Sequence, residues 1–262
     1  MSPRPPAQRT FFEGARSQMT DSIRFALAAL AAHAGRHWVV AYSGGKDSSA
    51  LLSFVVWAIV TGRVPAPASL RVLYADTRME LLPLQECARG MLDETRERGF
   101  AAESVLPLLD DRFYVYMFGR GVPPPNNARM RWCTPRMKVL PMAAALVRQA
   151  VALGFGTVDA DGAYAGTLRT APGDDAPRAE KFVLLTGVRR GESAARDGRI
   201  ALACGRDGGE CGQGWFHETT PTAVADTLAP LLTWRTCHVW EWLDGWAVQP
   251  EYGGWDTQLL AR

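Results

Sequence analysis

Trp38-Val39-Val40-Ala41-Tyr42-Ser43-Gly44-Gly45-Lys46-Asp47-Ser48 is a short apolar run that breaks into two glycines, a lysine, an aspartate and a serine. The run reads as a buried strand feeding a tight turn. Behind it, Asp47 to Thr61 carries apolar residues at helical spacing and stops at Gly62. Strand, glycine turn and helix N-terminus in that order make an anion cradle. The glycines let the backbone approach phosphate oxygens, and the first N–H groups of the helix point at the anion. Lys46 adds a charge, Ser43 and Ser48 offer hydroxyl donors, and Asp47 is placed to hold Mg²⁺ directly or through water. The spacing is not that of the Walker loop, which needs four residues between Gly and Gly-Lys.

Outward from this loop the pattern repeats. Ser17 to Ala34 has helical periodicity and ends at Gly35; Leu70 to Asp76 reads as a second strand, Leu82 to Arg98 as a helix ending at Gly99, and Glu103 to Leu108 as a third strand. Asp110 to Pro135, with Pro123-Pro124-Pro125 and several aromatics, is a loop that crosses the surface or lines a site. A helix from about Arg136 to Leu153, a strand Phe182 to Gly187, an irregular polar stretch Arg189 to Phe216 and a short helix Thr236 to Trp246 complete the chain. The alternation predicts an α/β fold, a parallel twisted sheet with helices on both faces, Rossmann-like in class. We expect one domain over 1–262, with a flexible N-terminus 1–14. The stretch 159–179, rich in Gly, Asp, Ala and Pro, reads as an exposed, disordered insertion.

Composition bounds the function. With 262 residues, 47% apolar and 21% charged, the chain can bury a full core. Lys and Arg number 29 against 27 Asp and Glu, so the whole-molecule field does not pull the protein onto nucleic acid, and any such contact must be a local patch. The start Met1-Ser2-Pro3-Arg4-Pro5-Pro6 lacks a signal-peptide core, and no run is long enough to span a membrane, so a cytoplasmic location with no membrane partner is expected. Five cysteines without dense spacing read as reduced thiols or ligands. Cys133, Cys204, Cys211 and Cys237 are four thiolates that could hold zinc or an iron–sulfur cluster, although no Cys-x-x-Cys pair supports it. Cys87, within a helical pattern, reads as core, and Trp234, Trp240, Trp242 and Trp246 as packing for the last helix.

Three further groups of residues could face a ligand. Asp76 and Thr77 end the second strand, where a ligand would lie; they read equally well as a cap for the following helix. Asn126 to Lys138 gathers Arg129, Arg131, Arg136 and Lys138 with Trp132 and Cys133 just before a helix N-terminus. Thr186-Gly187-Val188-Arg189-Arg190-Gly191-Glu192-Ser193-Ala194-Ala195-Arg196 begins at a strand end and brings Arg190, Glu192, Ser193 and Arg196 close together, where guanidinium groups could clamp phosphates. The reading assigns catalysis to Lys46, Asp47 and Arg190. It expects Arg131, Arg136, Lys138, Arg190 and Arg196 to share one anion pocket, with Gly187 and Glu192 among the binding residues.

The loop Ser43 to Ser48 resembles the signature of the PP-loop ATP pyrophosphatases, a group of adenine nucleotide alpha-hydrolase-like fold that includes GMP synthetases, tRNA thiolases and sulfonucleotide reductases. The R-W-C-T-x-x-x-K element, the T-G-x-R-x-x-E-S-x-x-R element and the tail Pro230 to Leu243 are similar to the phosphoadenosine-phosphosulfate-reductase-like branch, and most similar to the ATPases of bacterial DNA phosphorothioation, the Dnd and Ssp defence systems. The resemblance covers roughly residues 36 to 250. It implies ATP and Mg²⁺ as cofactors, transfer of AMP to a DNA backbone phosphate, sulfur delivered by a cysteine desulfurase partner, and DNA presented through a complex with other phosphorothioation subunits. It leaves open a sulfonucleotide reductase, for which Glu210-Cys211-Gly212 with His217 is a displaced match, and a tRNA-thiolase-like enzyme or an inactive nucleotide-binding scaffold. The sequence at Arg262 reads as able to continue.

Overall fold

The computed structural model describes residues 11–126, 130–169, 178–192, 198, 215–217, 219, 223–257 and 260, without the side chains of 11–17, 169, 178–179 and 215–217. A helix α1 (Phe11–Ala31) leads into β1 (His37–Tyr42), α2 (Lys46–Val60), β2 (Ser69–Ala75), α3 (Leu82–Glu97) and β3 (Ala101–Val105). A π-helical turn (Pro135–Val139) runs into α4 (Leu140–Ala152). Short antiparallel pairs follow, β4 (Gly156–Val158) with β5 (Tyr164–Gly166) and β6 (Leu168–Arg169) with β7 (Arg178–Ala179). The chain then forms β8 (Phe182–Leu185), β9 (Trp215–His217), β10 (Ala225–Ala229) and α5 (Thr236–Trp240), which passes into a π-helical segment Glu241–Trp246.

The main sheet has the order β3-β2-β1-β8-β10-β9, with every pair parallel except β9 against β10. The expected α/β class is met. Alternation along the strands sends Trp38, Val40, Tyr42, Val72, Tyr74, Val183 and Leu185 to one face, under α1, α2, α3 and the C-terminal segment. Val39, Leu73, Val105 and Phe182 turn to the other face, under α4. From β3 the chain crosses by way of α4 to β8, on the far side of β1. The strand order therefore reverses at β1 and β8, and a ligand crevice is expected beyond their C-terminal ends.

Helix α2 is buried from Ser48 to Ala58 around its whole circumference, the mark of a helix inside a core rather than on it. Its serines satisfy themselves: Ser53 Oγ donates to Ser49 O at 2.9 Å and accepts from Trp242 Nε1 at 2.9 Å. Phe54 and Trp57 pack edge-on against Trp242, with Trp234 on Phe54. These tryptophans pack the C-terminal segment onto α2.

Several boundaries differ from the periodicity. Helix α1 begins at Phe11, inside the stretch expected to be flexible, and β3 ends at Val105 because its partner β2 ends at Ala75 in register with it. Residues 156–169 carry the short strands named above, whereas 170–177 of the expected insertion lie outside the described residues. The sequence reading missed β10. Its Ala-Asp-Thr-Leu-Ala has little strand propensity, and pairing with β8 makes it a strand.

Buried Asp226 marks that strand. Its carboxylate takes Arg36 Nη2 at 2.8 Å, Lys181 Nζ at 3.1 Å and the Thr219 amide at 3.1 Å. Burial alone would raise the Asp226 pKa; Arg36, the Thr219 amide and Lys181 outweigh it and hold the carboxyl below its ordinary value. A depressed carboxyl stabilises the fold above the unfolded-state pKa of roughly 4 and loses that contribution as pH falls through its folded value. Urea unfolding at stepped pH should thus show stability dropping below about pH 4. Asp226→Asn should flatten that acid limb and, by leaving Lys181 uncompensated, remove about 3–5 kcal/mol at pH 7.

Candidate functional site

The turn after β1 is built from its own side chains. Ser48 Oγ donates to Gly45 O at 2.9 Å and accepts the Ser43 amide at 3.2 Å, with the Ser43 hydroxyl 3.1 Å away. Gly44 has φ +75°, the left-handed region that glycine enters without strain. A Cβ there would also meet Ala88 Cβ at 3.1 Å and the Tyr74 ring at 3.4 Å. Gly45 precedes α2 in extended conformation and supplies no side-chain cap. Among the described residues the first amides of α2 therefore have neither a carbonyl partner a turn earlier nor a side-chain cap from Gly45, the arrangement that favours an anion. Tyr74 backs the turn: its ring is buried, and its hydroxyl has no hydrogen-bond partner among the described residues. Burial, with Glu80 and Asp76 adding to it, pushes that phenol up to about 12.

The loop after β8 closes on the same place. A Cβ on Gly187 would lie 2.9 Å from Asp47 C and O and 3.0 Å from Ser48 N, so only glycine lets this backbone cross the start of α2. Two residues on, Arg189 turns inward, 4% exposed. Its Nε donates to Asp47 Oδ1 at 2.7 Å and its Nη1 to Trp234 O at 3.2 Å, with Glu192 Oε1 at 3.8 Å from Nη2. Lys46 Nζ holds the other Asp47 oxygen at 3.0 Å. One carboxylate thus joins the loops that follow β1 and β8, and Arg189 ties in the turn after β10. Beside them the Thr186 Oγ1 is buried with no partner among the described residues.

Arg189, and not Arg190, is the arginine turned to Asp47. Arg190 is exposed and contributes its amide, to Leu232 O at 3.0 Å. The signal was present, since the T-G-x-R spacing itself ends on Arg189. Inward and outward orientation of adjacent arginines is decided by the backbone of the loop, which composition does not report.

At the end of β2, Asp76 and Thr77 spend their side chains on a turn. Asp76 Oδ1 accepts the Arg78 amide at 3.0 Å and Gln85 Nε2 at 3.4 Å, while Thr77 Oγ1 donates to Glu80 Oε1 at 2.7 Å. Arg78, which follows them, has φ +60°. Arg136 pairs with Asp111 at 2.7 Å and stacks over Tyr116, and Lys138 is exposed. Among the described residues no hydrogen bond or ion pair joins Arg136, Lys138 or Arg190 to residues 43–48. Arg136 and Lys138 stand on the segment after β3, Arg190 on the loop after β8. Arg196, Ser193, Cys204, Cys211 and Arg129 lie outside the described residues. Cys133 is half-buried and Cys237 exposed, both as free thiols; among the described residues no three His, Cys, Asp or Glu gather into a metal-binding group. Cys87 is core, its thiol pushed up to about 11 by burial, with Asp256 and Glu94 adding to it.

The chain matches no protein-family model, and no curated protein matches it in sequence. Among solved structures it is similar to the U34-tRNA thiolase NcsA from Methanococcus maripaludis, solved with its [4Fe-4S] cluster, at 13% identity and a TM-score of 0.43. The likeness covers 86% of this chain, which spans 60% of the length of that one. No described helix is long and apolar enough to cross a membrane.

The two close approaches at the loop are testable without any ligand. Gly44→Ala and Gly187→Ala should each lower stability by about 1–3 kcal/mol, through strain and overpacking against backbone. Gly90→Ala, in the open on α3, should raise it by about 0.5–1 kcal/mol. Urea midpoints at neutral pH check all three.

Proposed function

We propose that this chain is a PP-loop ATP pyrophosphatase that transfers AMP to a phosphate oxygen of DNA for sulfur insertion. The observation that carries the reading is the Ser43–Ser48 loop at the sheet's switch point, with Asp47 gripped by Lys46 and Arg189. Gly44 and Gly187 hold open space and close backbone approaches that a Cβ would block, and the free amides of α2 suit a leaving pyrophosphate. Mg²⁺, when bound, would neutralise charge on the phosphate oxygens, and the Asp47 carboxylate is the ligand at hand.

In this reading an acceptor phosphate oxygen attacks the α-phosphorus of ATP, the bond to the β-phosphoryl oxygen breaks, and pyrophosphate leaves on the loop. Lys46 stabilises the departing charge as it builds up. Arg189 keeps one Asp47 oxygen engaged, so that the other faces outward once Lys46 moves to the phosphates. A phosphodiester oxygen is a very poor leaving group until it carries AMP; a sulfur nucleophile from a partner such as a cysteine desulfurase then displaces AMP from the acceptor phosphorus. The motifs shared with the DNA phosphorothioation ATPases support DNA as the acceptor.

Purified protein with ATP and Mg²⁺ should form AMP and pyrophosphate, faster when DNA is supplied. Lys46→Ala and Asp47→Asn, the latter keeping an acceptor for Arg189, should each slow pyrophosphate release by at least about a hundredfold while the circular dichroism spectrum is retained. ADP and phosphate as products would refute the bond assignment. Reduction of phosphoadenosine phosphosulfate to sulfite with a thiol donor would replace the proposal with a sulfonucleotide reductase.

A further inference from the structure

The segment after β3 carries an aromatic surface that the ATP reading leaves unused. It has two layers. In the inner one the Trp132 ring lies 5.5 Å from Phe113 and 4.6 Å from Tyr116, and Arg136 and Arg120 cover Tyr116 at 4.5 and 5.5 Å. In the outer layer Tyr114 and Phe118, one turn apart, hold their rings parallel within 1° at a centroid separation of 6.1 Å. These outer rings are 60% and 74% exposed, and Leu108, earlier on the same segment, is 76% exposed. Aromatic rings on that scale are costly to leave in water.

Charge identifies the occupant. Residues 106–140 hold six of the chain's 29 Lys and Arg but only two of its 27 Asp and Glu, which leaves the remainder of the chain net negative. An apolar protein partner would not call for cations stacked on the rings. Bases do: a flat π-face matches Tyr114 and Phe118, and the arginines over Tyr116 in the inner layer match phosphates. A duplex hides its base faces, so the fitting ligand is a strand whose bases are unstacked.

Position connects this surface to the loop. β3 and β1 are parallel and two strand spacings apart, so the segments leaving their C-terminal ends emerge on the same sheet edge about 10 Å apart. We propose that Tyr114 and Phe118, with Arg120 and Arg136 behind them, bind single-stranded or locally unpaired nucleic acid by base stacking and hold it beside the Ser43–Ser48 loop. The binding itself stands apart from the catalytic reading; only the role of the strand as acceptor rests on it.

The test is fluorescence anisotropy of the full chain with a labelled 20-nucleotide DNA, the RNA of the same sequence, and the DNA duplex, each at two salt concentrations. The proposal expects either single strand to bind more tightly than the duplex, and the ratio of DNA to RNA identifies the sugar. Tyr114→Ala and Phe118→Ala should each weaken single-strand binding by roughly tenfold, and Phe118→Trp should preserve it. Arg120→Glu should weaken binding and reduce its salt dependence. Both outer rings are exposed, so the variants should unfold at the wild-type urea midpoint. Equal affinity of the Tyr114→Ala, Phe118→Ala double variant and wild type would overturn the proposal, as would duplex binding tighter than single-strand binding. So would a wild-type dimer that the double variant dissolves without loss of oligonucleotide affinity, because the occupant would then be a second copy. Absence of pyrophosphate release in parallel assays would instead count against the catalytic reading and leave the stacking surface standing.

Discussion

A single carboxylate ties together the loops that leave the two halves of the sheet. Asp47 accepts from Lys46 on its own turn and from Arg189, 142 residues further on, in the loop after β8. A guanidinium as buried as that of Arg189 is stable only if its donors are met, and Asp47 and the Trp234 carbonyl meet them. Gly187 makes the contact possible by letting the β8 loop cross the start of α2. Without that approach the crevice between β1 and β8 would be wider and Asp47 would be free to rotate.

The rigidity of this corner comes from behind it. Helix α2 is enclosed by the sheet on one side and by Trp234, Trp242 and their neighbours on the other, so its N-terminus cannot drift. Even the polar side chains inside the helix are tied down, as Trp242 Nε1 on Ser53 illustrates. A phosphate site assembled from backbone amides, as proposed for this loop, needs such support, because its donors have no side-chain freedom with which to adjust. The tryptophans of the C-terminal segment thus support the loop through α2 and, at the Trp234 carbonyl, through Arg189.

The same sheet edge presents two kinds of surface. Over β1 and β8 it is polar, narrow and built from glycine and charge; beyond β3 it is broad, aromatic and rich in arginine. A chain with nearly balanced charge overall can still carry a basic surface if its carboxylates are placed elsewhere, and those of 106–140 are only Asp110 and Asp111. Both engage arginines, at 3.2 and 2.7 Å, which fixes where the guanidinium groups lie.

Local rules made much of the molecule legible. An apolar strand, two glycines and a helix pattern suffice to recognise β1, the turn and α2, because backbone conformation there follows from residue type within a few positions. The same holds for β2, α3 and β8, and for Cys87 and the tryptophans as core. Tertiary contact decided the rest. β10 is a strand because β8 supplies its hydrogen bonds and Arg36 and Lys181 neutralise Asp226. Arg136 turns to Asp111, and Arg189 rather than Arg190 reaches Asp47. Sequence determines which residues are chemically able to hold a phosphate; which of them face it depends on contacts between segments far apart in the chain, and those exist only once the sheet has formed.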